Sequence, residues 1–392
     1  MKYLVLILIA LILFSCEQNS KSVTNIENVI YNNNLFSLTV VDTIEFDLPN
    51  NTKYNSWFKM SEIDDNQYLD VYINYNGIGL FNIDNGSTDD FLLKFDNVGP
   101  NGVGEARYIH VVNWDSIFII KHYTTQLYLV DSSGVVINKW DLNKTISGNY
   151  IYNILATSTS QIYFVDGKVH LLNVSSNKVF SDAYWSDIKE LTFDLEKNIL
   201  INRVGGFPAV YKQGICYGGY NSDSYRVVTN DSEIVYSFSL DNNLYIYNDT
   251  ILLKNVELRS PYVKVDAPKP QKKLTGYNHN DDWLYEIQRG SYRWMVYDKH
   301  RDIIYRLVLH AMEPYDVDGN QNKFWDKPFS IQIIDNTFNL VGEVAFPANT
   351  YDFRNIIPVK DGLLISLCHD NNPILEEDKL KLALFKLVKT NE

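Results

Sequence analysis

The residues best equipped for chemistry lie close together: Arg289, Tyr292, Arg293, Trp294, Arg306 and His310. If they sit on strands, side-chain alternation puts Arg306 and His310 on one face, and likewise Tyr292 and Trp294. An aromatic plate beside guanidinium donors would hold a sugar or an anionic glycan, because Arg meets a carboxylate through two parallel hydrogen bonds. The plainer reading uses the same residues: Arg on an exposed strand face, and Tyr and Trp filling contacts between sheets.

Other motifs carry less. The seven His (His110, His122, His170, His279, His300, His310 and His369) form no H-x-H or H-x-x-x-H pair, so no local metal motif exists. Gly99 to Gly104 reads G-x-x-G-x-G, but a phosphate cradle needs a helix N-terminus after the glycines, and the strand-like Tyr108 to Val112 follows. Asp316-Val317-Asp318-Gly319-Asn320 has the oxygen ligands of a calcium loop in the wrong register and lacks the late Glu; a polar surface turn is expected. There is no G-x-S-x-G elbow. No catalytic residue, metal or cofactor is assigned.

These groups need elements to position them. The stretch Asp115 to Leu142 reads as three consecutive strands, with Ser132-Ser133-Gly134 as the tight turn before the last. Similar units recur: Tyr68 to Asn74, Gly79 to Ile83 and Phe91 to Phe95, with the turn signal Asn85-Gly86; Gln161 to Val165, Lys168 to Val174 and Lys178 to Phe180; Asn198 to Arg203 and Ala209 to Lys212; Glu233 to Leu240, Asn243 to Tyr247 and Asp249 to Leu258; Tyr292 to Asp298, Ile303 to His310, Phe329 to Asp335 and Leu340 to Phe346; Gly362 to Leu367 and Leu380 to Val388. No stretch keeps a helical period over three turns. Short strands at about 8–12-residue spacing point to an all-β sandwich, barrel or propeller. A sandwich has too few strands for 392 residues. The expectation is a β-propeller of six or seven blades, six preferred, with Leu35 to Leu48 pairing with the last blade to close the ring. Ser260 to Asp282 and Ala311 to Pro328 read as insertions overhanging one mouth of the central channel.

Composition agrees. Hydrophobic residues are 45% and aromatics 14%, with 28 Tyr and 7 Trp, a mixture that suits pleated, packed surfaces. The net charge of -13 repels phosphate backbones and argues against nucleic acid.

Met1-Lys2 precede an apolar run, Tyr3 to Phe14, too short to span a membrane, which takes ~20 residues. The run ends at Leu13-Phe14-Ser15-Cys16, which resembles a bacterial lipobox. On that reading residues 1–15 are a signal peptide, Cys16 carries lipid, 16–34 are a flexible tether and 35–388 the propeller. The address is the bacterial cell envelope, lipid-anchored to the outer membrane, periplasmic or surface side open. Cys216 and Cys368 read as separate buried thiols, with one disulfide as the alternative.

The run Phe95-Asp96-Asn97-Val98-Gly99-Pro100-Asn101-Gly102-Val103-Gly104-Glu105-Ala106-Arg107-Tyr108 resembles the Gly-rich link between blades of Bacteroides-type lipoproteins. With Tyr297-Asp298, Ile304-Tyr305-Arg306, Lys327 to Ile331 and Asp361 to Ser366, the chain resembles the family called domain of unknown function 4221 over roughly residues 34–388. That resemblance implies a lipoprotein signal and a six-bladed propeller. It carries no catalytic residues.

Three function classes remain: a non-catalytic envelope protein binding a glycan, peptide or partner protein at the propeller mouth; a scaffold subunit of an outer-membrane assembly; and a glycan-processing enzyme. The enzyme would need carboxylates ~5–9.5 Å apart at the mouth or a His/Tyr acid–base pair. The scaffold would need a broad exposed apolar patch. Glycan binding would show as an Arg- and aromatic-lined mouth.

Overall fold

Antiparallel hairpins follow one another along the computed structural model, which describes residues 34–48, 58–74, 77–84, 91–121, 124–142, 154–155, 160–165, 167–173, 175, 181–186, 189–211, 223–264 and 279–390. The leader, Cys16, His122, Cys216, the turn Asn85-Gly86 and the strand expected at Lys178 to Phe180 lie outside the described residues.

The strands group into six sheets. Blade 1 is β2 to β5 (Phe58–Ile63, Asn66–Asn74, Gly77–Asn82, Phe91–Lys94), and blade 2 is β6 to β9 (Ala106–Asn113, Ser116–Lys121, Gln126–Val130, Val136–Asp141). Blade 3 is β10 to β14 (Ile154–Leu155, Tyr163–Val165, Lys168–Asn173, Glu190–Asp194, Ile199–Val204); β10 and β11 both pair with β12. Blade 4 is β15 to β18 (Ser224–Val228, Glu233–Phe238, Asn243–Asn248, Ile251–Glu257). Blade 5 is β19 to β22 (Ser291–Asp298, Ile303–Leu309, Phe329–Ile334, Leu340–Phe346). Blade 6 combines β23 to β25 (Asp352–Val359, Gly362–Ser366, Lys379–Lys389) with the N-terminal β1 (Phe36–Asp47). The expected six blades and the closing N-terminal strand are therefore present.

Each blade alone would expose an apolar face, and stacking shelters it. The buried apolar residues fall into six clusters, one per blade interface: blades 1–2 around Ile78 and Ile119, blades 2–3 around Leu127 and Val169, blades 3–4 around Trp185 and Tyr236, blades 4–5 around Val235 and Ile304, blades 5–6 around Leu307 and Phe385, and blades 6–1 around Leu382 and Val71. Middle strands such as β20 (IIYRLVL) are buried at every position, so they read as continuous apolar runs and not as alternation. The outermost β18 is exposed along almost its whole length.

Closure is by hydrogen bonding and close approach. β1 pairs with β25 from Phe36↔Lys389 to Asp47↔Lys379. The Leu35 amide also donates to the Val341 carbonyl at 2.9 Å, tying the N-terminus to blade 5. There Gly342 faces the Phe36 carbonyl, and a Cβ at that position would overlap it.

One turn recurs. Asp131 Oδ1 accepts from the amides of Ser133 (2.9 Å) and Val135 (3.0 Å), and Asp335 Oδ1 from those of Thr337 (3.0 Å) and Asn339 (2.8 Å). Asp316 Oδ1 does the same to Asp318 (2.9 Å) and Asn320 (2.8 Å). The 316–320 motif is thus the polar turn expected, its first carboxylate used on backbone N–H groups.

Two expectations are corrected. Ala209–Tyr211 is a 3-10 turn, not part of a strand. The insertion after Ser260 ends in a helix: α1 is the single turn Asp182–Ser186, and α2 is His279–Gln288. α2 is too short and polar to show three turns of period, and among its described side chains Glu286 and Ile287 are buried. Its C-terminal carbonyls are capped by Lys327, whose Nζ donates to Glu286 O (2.5 Å) and Arg289 O (2.6 Å). Burial lowers that ammonium to about 7.

Candidate functional site

The inner strands β2, β11, β15, β19 and β23 converge on the axis and enclose a cavity of about 300 Å³. Its aromatic surface comes from Phe58, Tyr163, Trp294 and Tyr297, its neutral polar groups from Gln161 and Asn230, and its bases from Lys59, Lys299, His300 and Arg354. The 311–328 insertion leans on one end: Phe324 packs against Phe353 at 5.8 Å between centroids, and the Arg354 guanidinium stands 5.6 Å from the Trp325 ring. Residues 265–278 of the other expected insertion lie outside the described residues.

Lys59, Lys299 and Arg354 are each paired with an acid that does not line the cavity. Asp352 grips Arg354 in a two-point fork, Nε to Oδ1 at 2.7 Å and Nη2 to Oδ2 at 2.9 Å, fixing the guanidinium plane. Lys59 Nζ donates to Ile109 O (3.0 Å), lies 3.0 Å from His110 Nδ1, and pairs with Asp70 Oδ2 at 3.6 Å. Burial lowers the Lys59 ammonium and raises Asp70 to about 6. His110 is pushed well below the usual imidazole range, first by burial and then by Lys59, and burial also lowers His300. Lys299 pairs with Glu62. Among the described residues lining the cavity there is no Asp or Glu. Those described residues include no carboxylate pair of the kind a glycoside hydrolase uses. The lining offers aromatic faces and hydrogen-bond donors from bases that are already paired with acids, which suits holding a polyhydroxylated ring or its carboxylate.

Of the six residues singled out from sequence, only Trp294 lines this cavity. Tyr292 and Trp294 do not share a face, because a β-bulge between Tyr292 and Met295 shifts the register against β20. Trp294 packs with Tyr225 (6.2 Å) and Phe353 (5.7 Å). Tyr292 is fully buried; its hydroxyl accepts from the Ser260 amide and donates to Asn242 Oδ1, both at 3.0 Å. Arg306 lies 3.6 Å over the Tyr292 ring and donates to Ser237 Oγ (2.8 Å), Asn242 O (3.1 Å) and Asp241 O (2.8 Å). It pins blade 5 to blade 4, and burial lowers it to about 10. Arg293 bonds Glu286 Oε2 at 2.7 Å and lies 4.8 Å over Phe324. Arg289 lies 4.5 Å over Tyr285. His310 stacks on Tyr262 at 3.6 Å, and burial lowers it to about 4.

Lys59, Val228 and Arg354 escaped the sequence reading because β2, β15 and β23 did. These innermost strands (FKMSEI, SYRVV, DFRNIIPV) face neighbours on both sides and an axis at the rim. They show neither alternation nor an unbroken apolar run. Repetition was the signal that would have found them, since each blade needs a strand before its first turn.

The family model described as Domain of unknown function (DUF4221) matches residues 33–345. The crystal structure of a DUF4221 member from Bacteroides vulgatus is similar with a TM-score of 0.78 and 20% identity, over 91% of this chain and 100% of that one. A protein from Bacteroides fragilis described as exported is similar with a TM-score of 0.55 and 11% identity, over 91% of this chain and 97% of that one. The PQQ-bound aldose sugar dehydrogenase of Streptomyces coelicolor reaches a TM-score of 0.45 at 11% identity, over 90% and 98% of the two chains. No curated protein matches this sequence. By the span of its family match and the six sheets around its axis, this chain belongs to the DUF4221 family of β-propellers.

Proposed function

We propose that this chain is a non-catalytic binding protein of the bacterial envelope, anchored through lipid on Cys16, whose axial cavity holds a small anionic glycan. The observation that carries the binding reading is the lining: Trp294 and Tyr163 as plates, Arg354 oriented by Asp352, and no carboxylate among the described lining residues. Trp294 would cover the apolar face of a sugar ring, and Arg354 would meet its carboxylate. The lipobox-like Leu13 to Cys16 supports the anchor.

The soluble chain from Ser20 onward is screened by thermal shift against neutral and acidic oligosaccharides and peptides. A ligand at ~100 times its dissociation constant adds ~2.7 kcal/mol. Acidic saccharides are expected to stabilise the protein, and Trp294→Ala and Arg354→Ala to remove the shift. A flat response to every acidic saccharide would sink the binding reading. Metabolic palmitate labelling that survives Cys16→Ala would sink the anchor.

A further inference from the structure

The two ends of the axial cavity are bounded differently. At one end the rings of Tyr225, Trp294 and Phe353 pack together, and Phe324 of the 311–328 insertion stacks on Phe353. At the other end the boundary is ionic. Lys299, in the turn after β19, pairs with Glu62 of β2. Blades 5 and 1 are not neighbours, because blade 6 packs between them. The link therefore runs along the rim of the cavity, which Lys299 and His300 both line. Gln67 of blade 1 likewise lies 3.5 Å from His300.

The hairpin that carries Lys299 is fixed, and its ammonium is not. From blade 4, Asn230 Nδ2 donates to Lys299 O at 3.3 Å. Toward blade 6, Arg301 donates to Val359 O (3.0 Å) and Lys360 O (2.6 Å). The side chains of the pair itself are 51% exposed for Lys299 and 23% for Glu62. An ion pair this open to water contributes little stability and is readily exchanged. Asp352 and Asp70, which hold Arg354 and Lys59, are buried and have no such freedom. Glu62 also has a second cation, since Lys360 Nζ lies 3.5 Å from its Oε1. It keeps a partner when Lys299 leaves it.

Given the axial binding reading, on which this rests, we infer that Lys299 is a second acid-binding residue of the same site. Glu62 holds its place until an acid group of the ligand displaces it, and the ligand carries two acid groups, one for Arg354 and one for Lys299. The exchange puts one carboxylate where another was, so no charge is left buried and unpaired. Length sets the class of ligand. Arg354 adjoins Phe353 at the Trp294 end, and Trp294 and Lys299 are separated by five residues of extended chain, at ~3.3 Å each roughly 16 Å. Reaching both bases takes more than one sugar ring, so the ligand is an acidic disaccharide with a carboxylate on each ring.

Isothermal titration calorimetry on the soluble chain, in low salt where exposed ion pairs are not screened, tests this. The probes are sodium α-1,4-digalacturonate and sodium D-galacturonate. The disaccharide is expected to bind at least tenfold tighter than the monosaccharide. Lys299→Gln should cut that ratio to twofold or less. Glu62→Gln removes the competing carboxylate and should tighten the disaccharide at least threefold. Both positions are part-exposed near one hairpin end, so circular dichroism melts of the variants should match the parent. Disaccharide binding that is lost in Arg354→Ala but unmoved by Lys299→Gln, or not tightened by Glu62→Gln, overturns this inference and leaves the axial reading standing. Absence of binding by both probes and by every other acidic saccharide overturns the two together.

Discussion

Arg306→Ala separates a structural arginine from a ligand-binding one. Arg306 has 0% exposure and donates to Ser237 Oγ, Asn242 O and Asp241 O over the Tyr292 ring. Hydrogen bonds from a charged donor are worth about 1.5–3 kcal/mol each, and an acceptor left buried and unsatisfied costs about 1–3 kcal/mol. The desolvated stacking adds about 2 kcal/mol. Removing the guanidinium also recovers the cost of burying a charge, and contacts in one network do not add. The balance is a loss of about 4–5 kcal/mol, in the range that marks a specific structural defect. Arg289→Ala is the comparison. Its guanidinium lies over Tyr285 at a half-exposed position, so the cost should stay under about 1 kcal/mol. Urea unfolding of the soluble chain, followed by circular dichroism, measures both. A loss below about 2 kcal/mol for Arg306→Ala, at unchanged urea slope, would refute the assignment of Arg306 as the pin between blades 4 and 5.

Three further outcomes are expected. Gly342→Val places a side chain against the Phe36 carbonyl and should unfasten β1; limited proteolysis would then cut within 34–48, and full resistance would contradict this account of closure. Burial raises Asp70 to about 6, so the folded chain binds that proton more tightly than the unfolded one. Asp70 therefore contributes stability below the ordinary carboxylate range that is lost as pH rises through about 6. The wild-type urea midpoint, relative to that of Asp70→Asn, should fall from pH 4 to pH 6.5, and a constant difference would contradict the shift. Cys368 is 1% exposed and its thiol is raised by burial; in a Cys216→Ser background it should resist Ellman's reagent until the chain unfolds. Rapid labelling of the native protein would show the β24–β25 end to be open.

Local features were legible from residue order alone. Turn chemistry such as Asp131-Ser132-Ser133-Gly134 and Asp335 to Asn339 marks hairpins from neighbouring residues alone, and recurring hairpins imply blades and a ring that must close through Leu35 to Leu48. The middle strands were legible for the same reason: burial on both faces leaves unbroken apolar runs. The axial site was not legible, because Phe58, Tyr163, Trp294 and Arg354 come from different blades and meet only when the ring forms. Nor could spacing show that a bulge turns Trp294 away from Tyr292, or that Arg306 spends its donors on the carbonyls of another blade. A side chain's type sets what it is able to do. Whether it faces a cavity or a neighbouring sheet depends on register and on packing between segments far apart in the chain, which neighbouring residues do not set.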